Sequence, residues 1–331
     1  MSVLIVAEAG VNHNGDLGIE KELIEMAAVA GADLIKFQSF AADRLVVRGA
    51  PLATYQEVAG ESDHFEMIRR LELDRADHER LIASCESNGI GFFSTGFDIE
   101  SVDLLAELGQ RRFKVPSGEI NNLPLLRHIG SFGCEVILST GMAEMTEIGD
   151  ALSVLQRVGI ARELVTVLHC TTDYPASFSD VNLTAMQAIG REFGVAVGYS
   201  DHTLGIEVSV AAVALGASVI EKHITLDREL VGPDHRASLE PNEFDTMVRS
   251  IRNVELALGD SKKRPAESEM RNRVVARRSI VAARQICKGE VFDELNISTK
   301  RPGTGLSPML WDDVVGRRAT RDFDIDEMIE L

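Results

Sequence analysis

Short apolar runs alternate with longer amphipathic segments along most of the chain. Each run is three to five residues long and most are rich in Val, Ile and Phe, which is typical of strands buried on both faces. The runs lie at residues 3–7, 34–37, 91–94, 112–115, 135–138, 164–168, 195–198 and 219–221. Because helix-length segments separate them, they predict the strands of a parallel sheet.

The intervening segments place apolar residues at helical spacing. They predict helices at residues 17–30, 74–88, 99–108, 123–129, 145–158, 182–193, 204–215 and 241–258. Six glycines directly follow these segments, where a left-handed cap is favoured; they are Gly31, Gly89, Gly109, Gly159, Gly194 and Gly216. Eight strand–helix units in about 250 residues predict an α/β protein built on a (β/α)8 barrel. A doubly wound sheet is the alternative, but its Gly-x-Gly-x-x-Gly turn is missing from the first unit.

The alternation ends after Leu258. Residues 259–269 are polar, charged and contain proline, which indicates a linker. Beyond it, residues 278–284 alternate like a strand and residues 297–301 form a second candidate strand. We therefore predict a barrel at residues 1–258, a linker at residues 259–273 and a small β-rich domain at residues 274–331.

Composition narrows the class of partner. The net charge of −18 argues against nucleic acid or an anionic membrane as a partner. The four cysteines are far apart and show no CxxC spacing, which favours reduced thiols in a cytoplasmic protein. The first residues run straight into the first predicted strand rather than resembling a signal peptide, and no apolar stretch is long enough to span a bilayer.

Polar residues follow the apolar runs, and in a barrel these strand ends surround one mouth. His202 and His223 end successive strands, which suggests a metal site, although a single histidine there is more often structural. Lys36 and Lys114, with several hydroxyls, suit a phosphorylated and carboxylated anion. The alternative for a strand-end lysine is a surface salt bridge.

Carboxylates complete this predicted mouth. Glu8, Glu119 and Asp234 could move protons or hold sugar hydroxyls. Glu8 could instead be a structural partner of a lysine inside the barrel. Lys222 is expected to point away from its neighbour His223 and to form an ion pair in the core, because side chains alternate along a strand.

Nine motifs in this order and spacing resemble the sialic acid synthase family. They are AEAGVNHNGD, IKFQSF, FFSTGFD, KVPSGE, ILSTGM, GYSDHT, EKHITLD, GPDH and KRPGTG. The resemblance covers the whole chain and implies a TIM barrel followed by an antifreeze-like (SAF) domain. It also implies a transferase that condenses phosphoenolpyruvate with an N-acylated mannosamine-type sugar, in its open-chain form, to give a nonulosonic acid and phosphate.

The resemblance further implies roles for individual residues. Phosphoenolpyruvate would contact Lys36, Thr95, Lys114, Ser117, Ser139 and Ser200. The sugar would contact Glu8, Gln38, Phe97, Tyr174, Asp234 and Arg301, the last donated by the neighbouring subunit of a domain-swapped homodimer. His202 and His223 would hold a divalent cation, usually Mn²⁺, with Mg²⁺ or Co²⁺ as alternatives. Catalysis would rest on Glu8, Lys36, Lys114, Glu119, His202 and His223.

The sequence leaves alternatives open for the identity of the sugar and for the class of function. N-acetylmannosamine would give N-acetylneuraminate, and a 2,4-diacetamido-trideoxymannose would give a legionaminate. The segment Thr171–Thr172–Asp173 varies in the family, and the tail motif has Thr304 where Asn is common. A metal-dependent hydrolase on the same barrel is the rival enzyme, and a carbohydrate- or ice-binding protein is the non-enzymatic alternative.

Overall fold

The computed structural model describes residues 2–51 and 63–331 of the chain. The chain divides into two compact units, Met1–Gly259 and Asp260–Leu331. The first unit holds the predicted barrel, and the second holds the predicted β-rich domain. Among the described helices, none combines the length and the apolar character needed to cross a membrane.

Eight parallel strands form the centre of the first unit. They are β1 Leu4–Gly10, β2 Leu34–Ser39, β3 Gly91–Gly96, β4 Arg112–Val115, β5 Glu135–Ser139, β6 Val165–Cys170, β7 Ala196–Asp201 and β8 Val219–His223. Hydrogen-bonded pairs run in the order β3-β2-β1-β8-β7-β6-β5-β4. Strands β3 and β4 lie against each other and close the barrel. At this seam the amide side chain of Gln110 bonds both backbone groups of Ser94, at 2.9 Å each.

Helices surround this barrel. They are α1 Leu17–Ala30, α2 Ala42–Leu45, α3 His64–Arg69, α4 Arg75–Asn88, α5 Ile99–Glu107, α6 Leu123–Ser131, α7 Met145–Arg157, α8 Thr184–Phe193, α9 Glu207–Ala214 and α10 Pro241–Leu258. Short 3-10 turns lie at Ser117–Glu119, Arg162–Leu164, Phe178–Asp180 and His235–Ala237. All six glycines predicted to cap helices have a positive φ.

The prediction of a (β/α)8 barrel is confirmed, but seven of the strands extend further toward their carboxyl ends than predicted. The first strand continues from residue 7 to Gly10, and the last from residue 221 to His223. The added residues are mostly polar, so a search for apolar runs stops before them. These extensions carry six of the predicted site residues: Glu8, Gln38, Thr95, Ser139, Ser200 and His223.

The barrel interior is built in layers, because alternate residues of each strand face inward. The lower layer is apolar and consists of Val6, Phe93, Ile137, Leu168 and Val219. Two residues further along the same strands lie Glu8, Thr95, Ser139, Cys170 and Glu221, all of which border a cavity. An apolar plug thus closes the barrel directly beneath a polar layer.

Lys222 lies outside this interior, as predicted from strand alternation. Its ammonium is 3.0 Å from Oδ2 of Asp201, and both side chains are fully buried. The ammonium also donates to the carbonyl of Thr203, and Asp201 accepts from Ser209 at 2.7 Å. These further hydrogen bonds to Thr203 and Ser209 offset part of the desolvation cost of the buried ion pair.

The second unit contains a two-stranded antiparallel sheet. Strand β9, Ser279–Ala282, pairs with β10, Ile297–Lys300. The apolar core of this second unit consists of Ile280, Ala282, Ile286, Phe292, Ile297, Val314, Ala319, Phe323 and Ile329. Helix α11, Glu267–Ala276, begins within the predicted linker, and α12 is Trp311–Val314. The spacing of apolar residues did not predict α11, because all side chains of this helix are exposed.

Candidate active site

A cavity of about 330 Å³ lies at the carboxyl ends of the barrel strands. The structure brings thirteen of the fifteen predicted site residues to its lining. They are Glu8, Lys36, Gln38, Thr95, Phe97, Lys114, Ser117, Ser139, Tyr174, Ser200, His202, His223 and Asp234. Residues from all eight strand ends therefore meet at one mouth.

Two lysines and two glutamates form an ionic quartet at the base of the cavity: Glu8, Lys36, Lys114 and Glu221. The ammonium of Lys36 lies 2.6 Å from Oε2 of Glu221 and 3.2 Å from Oε2 of Glu8. The ammonium of Lys114 lies 2.8 and 2.7 Å from the two oxygens of Glu221. No member is more than 4% exposed. One carboxylate thus holds both ammonium groups in place.

Strand register explains why these four groups meet. Glu8 lies opposite Lys36 on β2 and opposite His223 on β8. Ser200 lies opposite Glu221, and its hydroxyl donates to Oε1 of Glu221 at 2.9 Å. The quartet rests on the apolar layer below, where no water can compensate a lone charge, so each charge needs a partner.

The quartet sets different proton affinities for its members. For Glu221, burial opposes ionisation, but Lys114 and Lys36 outweigh it and hold the pKa far below its usual range. For Lys36, burial is outweighed by Glu221 and Glu8, so its pKa is raised. Burial lowers the pKa of Lys114 to about 8 and raises that of Glu8 to about 7. Glu8 is therefore the carboxyl of this group that can exchange a proton near neutrality.

Several buried polar atoms of the cavity have no hydrogen-bond partner among the described residues. They are Oε2 of Glu8, Oγ1 of Thr95 and Nδ1 of His223. Oε2 of Glu8 is close enough to Lys36 for an ion pair, yet not aligned for a hydrogen bond. Buried polar groups are rarely left unpaired. These atoms thus mark hydrogen-bonding capacity directed at a ligand.

A serine and a glycine shape another part of the wall. The hydroxyl of Ser117 accepts from the backbone N–H of Gly141 at 2.9 Å. A side chain at Gly141 would bring its Cβ within 2.1 Å of Oγ1 of Thr172. The same Cβ would lie 2.9 Å from Oγ of Ser117, so a larger residue would require these side chains to shift.

The two histidines face each other across the cavity, with ring centroids 5.5 Å apart. Nδ1 of His202 is 2.6 Å from the carbonyl of Thr171, which assigns the proton to Nδ1 and leaves Nε2 as an acceptor. Burial lowers the pKa of His202 to about 4 and that of His223 well below its usual value. Nδ1 of His223 lies 3.7 Å from Oδ2 of Asp234. Both rings are neutral at pH 7, which is the form that binds metals.

Tyr174 and Asp234 lie beside these rings. The ring of Tyr174 stacks on His202 with centroids 4.2 Å apart and meets His223 edge-on. Burial raises the pKa of Asp234 to about 6. An aromatic face and a carboxyl thus border the histidine pair, as a sugar-binding surface requires.

Two predicted site residues are not brought to the cavity. Glu119 is half-buried in a 3-10 turn, and its carboxylate accepts from Nδ2 of Asn122 at 2.6 Å. Arg301 is exposed and belongs to the second unit. Their proposed roles stay predictions.

Sequence reasoning assigned no role to Glu221. The signal was available, since Glu221 is two residues after Val219 and two before His223, so all three share one face of β8. The expectation that Lys36 and Lys114 could be surface salt bridges is wrong, because both are buried. The expectation that Glu8 pairs with a lysine agrees with its 3.2 Å approach to Lys36.

The fold and the convergent strand ends define a TIM-barrel enzyme, since active sites of this fold lie at this face. The sequence matches the model of the NeuB family over residues 23–263 and that of the SAF domain over residues 277–330. The chain therefore belongs to the NeuB family and carries a C-terminal SAF domain.

Relatives with established names agree with this assignment. The chain is 51% identical to the N,N'-diacetyllegionaminic acid synthase of Campylobacter jejuni, over 98% of both chains. It is 46% identical to the enzyme of the same name from Legionella pneumophila, over 96% of this chain and 90% of that one. Among solved structures, the N-acetylneuraminic acid synthetase of Leptospira borgpetersenii matches with a TM-score of 0.72 and 34% identity, covering 82% of this chain and 90% of that one.

We predict that Glu8→Gln changes how stability depends on pH. Burial raises the pKa of Glu8 from its usual 4.5 to about 7, although Lys36 opposes the shift. The folded protein holds this proton more tightly than the unfolded chain, so the stabilisation is present below the unfolded pKa and is lost as pH rises through 7.

The difference in unfolding free energy, unaltered protein minus variant, should fall by on the order of 2 kcal/mol between pH 5 and pH 7.5. Urea unfolding at both pH values measures it. Titrating groups that do not interact with Glu8 cancel in the difference. A difference independent of pH would mean that Glu8 has an ordinary pKa.

Proposed function

We propose that this protein is a phosphoenolpyruvate-dependent nonulosonic acid synthase. C3 of phosphoenolpyruvate bonds to the aldehyde carbon of an open-chain N-acyl sugar, water adds at C2, and phosphate leaves by C–O cleavage. The sugar we propose is 2,4-diacetamido-2,4,6-trideoxymannose, and the product is N,N'-diacetyllegionaminate. The observation that carries the reaction is the ionic quartet within a NeuB-family barrel. The names of the relatives from Campylobacter jejuni and Legionella pneumophila support the choice of sugar.

The buried lysines bind the anionic substrate in this proposal. The ammonium groups of Lys36 and Lys114 face the cavity and already share Glu221, so they are pointed and charged before the substrate arrives. Such preorganisation avoids reordering flexible side chains during the reaction. Hydroxyls of Thr95, Ser117, Ser139 and Ser200 supply short hydrogen bonds to carboxylate and phosphate oxygens.

Glu8 handles a proton in this proposal. Its pKa of about 7 allows it to accept and return a proton at neutral pH. Its Oε2, which has no hydrogen bond, and its position between Lys36 and His223 direct it at the reacting atoms.

His202 and His223 are the residues that we propose hold a divalent cation, Mn²⁺ in the first place. The donor set fits: Nε2 of His202 is fixed as an acceptor by the Thr171 contact, and Nδ1 of His223 is buried without a hydrogen bond. Carbonyl hydrogen bonds of this kind commonly orient histidine ligands. A divalent cation bound there supplies Lewis-acid polarisation of a carbonyl oxygen.

The hydrolase alternative is less well supported. Binuclear hydrolases need further histidine ligands, and His13, which follows β1, is the residue that could supply one. That side chain is fully buried, accepts from the backbone N–H of Gly15 at 3.0 Å and lies 3.4 Å from Glu20. It is outside the lining of the cavity. A carbohydrate- or ice-binding role of the second unit leaves the quartet unexplained.

We propose a cytoplasmic location on the basis of the thiols. All four cysteines are free, and Cys287 is exposed. Free exposed thiols are typical of a reducing compartment. Fractionation of cells that produce the protein would detect it in the cytoplasmic fraction, and recovery from an oxidising compartment would contradict this.

We also propose that the protein works as a domain-swapped homodimer in which Arg301 of one copy reaches the cavity of the other. Large apolar side chains are exposed on loops that follow β5, β6 and β8: Met142 is 72% exposed, Phe178 60% and Val231 76%. Met142 borders the cavity, and contiguous exposed apolar surface is typical of an interface. An exposed arginine there would add N–H donors for the oxygen atoms of the sugar.

The function is tested by phosphate release and product identification. Phosphate should appear only when phosphoenolpyruvate and an N-acyl mannosamine-type sugar are both present, in equal amounts with a 2-keto-3-deoxy acid identified by mass spectrometry. Each substrate alone is the control. Phosphate released from phosphoenolpyruvate alone, or no product with any such sugar, would overturn the proposal.

The metal site is tested by binding as well as by activity. His202→Ala and His223→Ala should each weaken Mn²⁺ binding at least about 10-fold, as measured by electron paramagnetic resonance of free Mn²⁺, because each removes one of two imidazole donors. His128→Ala, at a partly exposed histidine paired with Asp103, is the matched control. Mn²⁺ affinity that is the same in all variants would refute the site.

The role of Arg301 is tested by mixing subunits. Arg301→Ala and Lys114→Met should each lower activity strongly in homodimers, whereas a heterodimer of the two should regain up to about half of the activity of the unaltered dimer, because one of its two sites has both groups. Arg317→Ala, also exposed in the second unit, is the control. Verified heterodimers without recovery would contradict action in trans.

A further inference from the structure

One side of the cavity is apolar. Six residues, here called the apolar wall, border the cavity there: Val11, Phe40, Leu45, Met67, Ile68 and Leu71. All six belong to a single packed cluster, so the wall is a continuous surface. No role has been given to these residues so far.

The wall has a different origin from the polar floor of the cavity. The floor consists of side chains within the strands, such as those of the quartet. The wall comes from the chain that follows β1 and β2, with Leu45 on α2 and Met67 on α3. Phe97, after β3, extends it, because its ring meets that of Phe40 edge-on with centroids 5.9 Å apart. The cavity therefore suits a ligand with one charged end and one apolar end.

The wall is more than a packing surface for α3. Phe65, on the same helix, belongs to the cluster but does not border the cavity, and it is covered by the guanidinium of Arg48 at 4.4 Å. Met67 and Ile68 border the cavity instead. One part of this cluster is thus used for packing and another faces the ligand.

We propose that the apolar wall binds the distal end of the sugar and selects for deoxygenated carbons there. This rests on the proposed function. The aldehyde carbon of the sugar must meet phosphoenolpyruvate at the charged floor, so C4 to C6 extend away from it. In the proposed sugar this end carries the C6 methyl and the methyl of the 4-acetamido group. N-acetylmannosamine carries hydroxyls at both positions.

The physical basis of selection is the loss of hydrogen bonds to water. A hydroxyl placed against the wall gives up its water partners without replacement, while a methyl group gains by leaving water. An apolar surface rejects an added hydroxyl only by about 100-fold at most. The expected preference is thus a ratio of rates rather than an absolute exclusion. His64, which also borders the cavity, provides a polar group for the amide of the acetamido substituent.

The first test uses the unaltered full chain and three sugars. With 2,4-diacetamido-2,4,6-trideoxymannose, kcat/KM should exceed that with N-acetylmannosamine by about 10- to 100-fold. The value for 2-acetamido-2,6-dideoxymannose should lie between them. Equal values, or a higher value for N-acetylmannosamine, would overturn the role of the wall and leave the synthase function intact. No turnover with any of the three would instead overturn the proposed function.

The second test changes the wall by a nearly isosteric substitution. Met67→Gln introduces a polar group, and Met67→Leu, the matched control, keeps the surface apolar. Met67→Gln should reduce the preference for the trideoxy sugar about 10-fold and leave the KM for phosphoenolpyruvate unchanged. Met67→Leu should keep the preference. Equal losses with all sugars in Met67→Gln would mean that Met67 only supports the fold and would refute selection. Leu71→Met and Leu71→Asn repeat the comparison if Met67→Gln does not fold.

Discussion

The site depends on the carboxylate of Glu221 lying between two buried ammonium groups. Lys36 and Lys114 are each within 2.8 Å of it, and none of the three is more than 4% exposed. Two lysines at this depth would lose their protons if they had no counter-charge. With Glu221 and Glu8 beside them, they stay charged and fixed in orientation. A protein with a net charge of −18 thereby keeps a local site for an anion.

The layered barrel interior makes this charge cluster possible. The apolar layer that contains Val6 and Val219 excludes water from below, and the polar layer begins two residues further along each strand. A low local dielectric strengthens every charge interaction above it. The same layer raises the pKa of Glu8, so the acid–base group and the anion site have one physical cause.

The barrel could be predicted from the sequence because its signals are local. Apolar runs, helical spacing and terminal glycines all depend on neighbouring residues, and every predicted strand exists. The residues of the mouth could also be identified, since strand ends of a barrel must converge. The ion pairs that these residues form with one another could not be predicted in the same way. Which carboxylate meets Lys114 depends on the register between β8 and its neighbours, 107 residues away along the chain.

Two further features lay outside local patterns. Helix α3 and the wall residue Met67 follow a segment without clear periodicity, so the search predicted no helix there. Between β3 and β4, the side chain of Gln110 makes hydrogen bonds that a neighbouring strand backbone would otherwise make. A pattern of apolar residues cannot predict such a contact. Glu119 is proposed from its place after a predicted strand as well as from the resemblance, whereas Arg301 owes its proposed role to the resemblance alone.

The most direct measurement is calorimetric binding of phosphoenolpyruvate to the Lys36→Met and Lys114→Met variants. Each substitution removes a charge-assisted hydrogen bond, so the Kd should rise by about 10- to 100-fold in either variant. Lys21→Met, at an exposed lysine on α1, should leave the Kd unchanged. Folded variants of Lys36 and Lys114 that bind phosphoenolpyruvate as tightly as the unaltered protein would contradict the account.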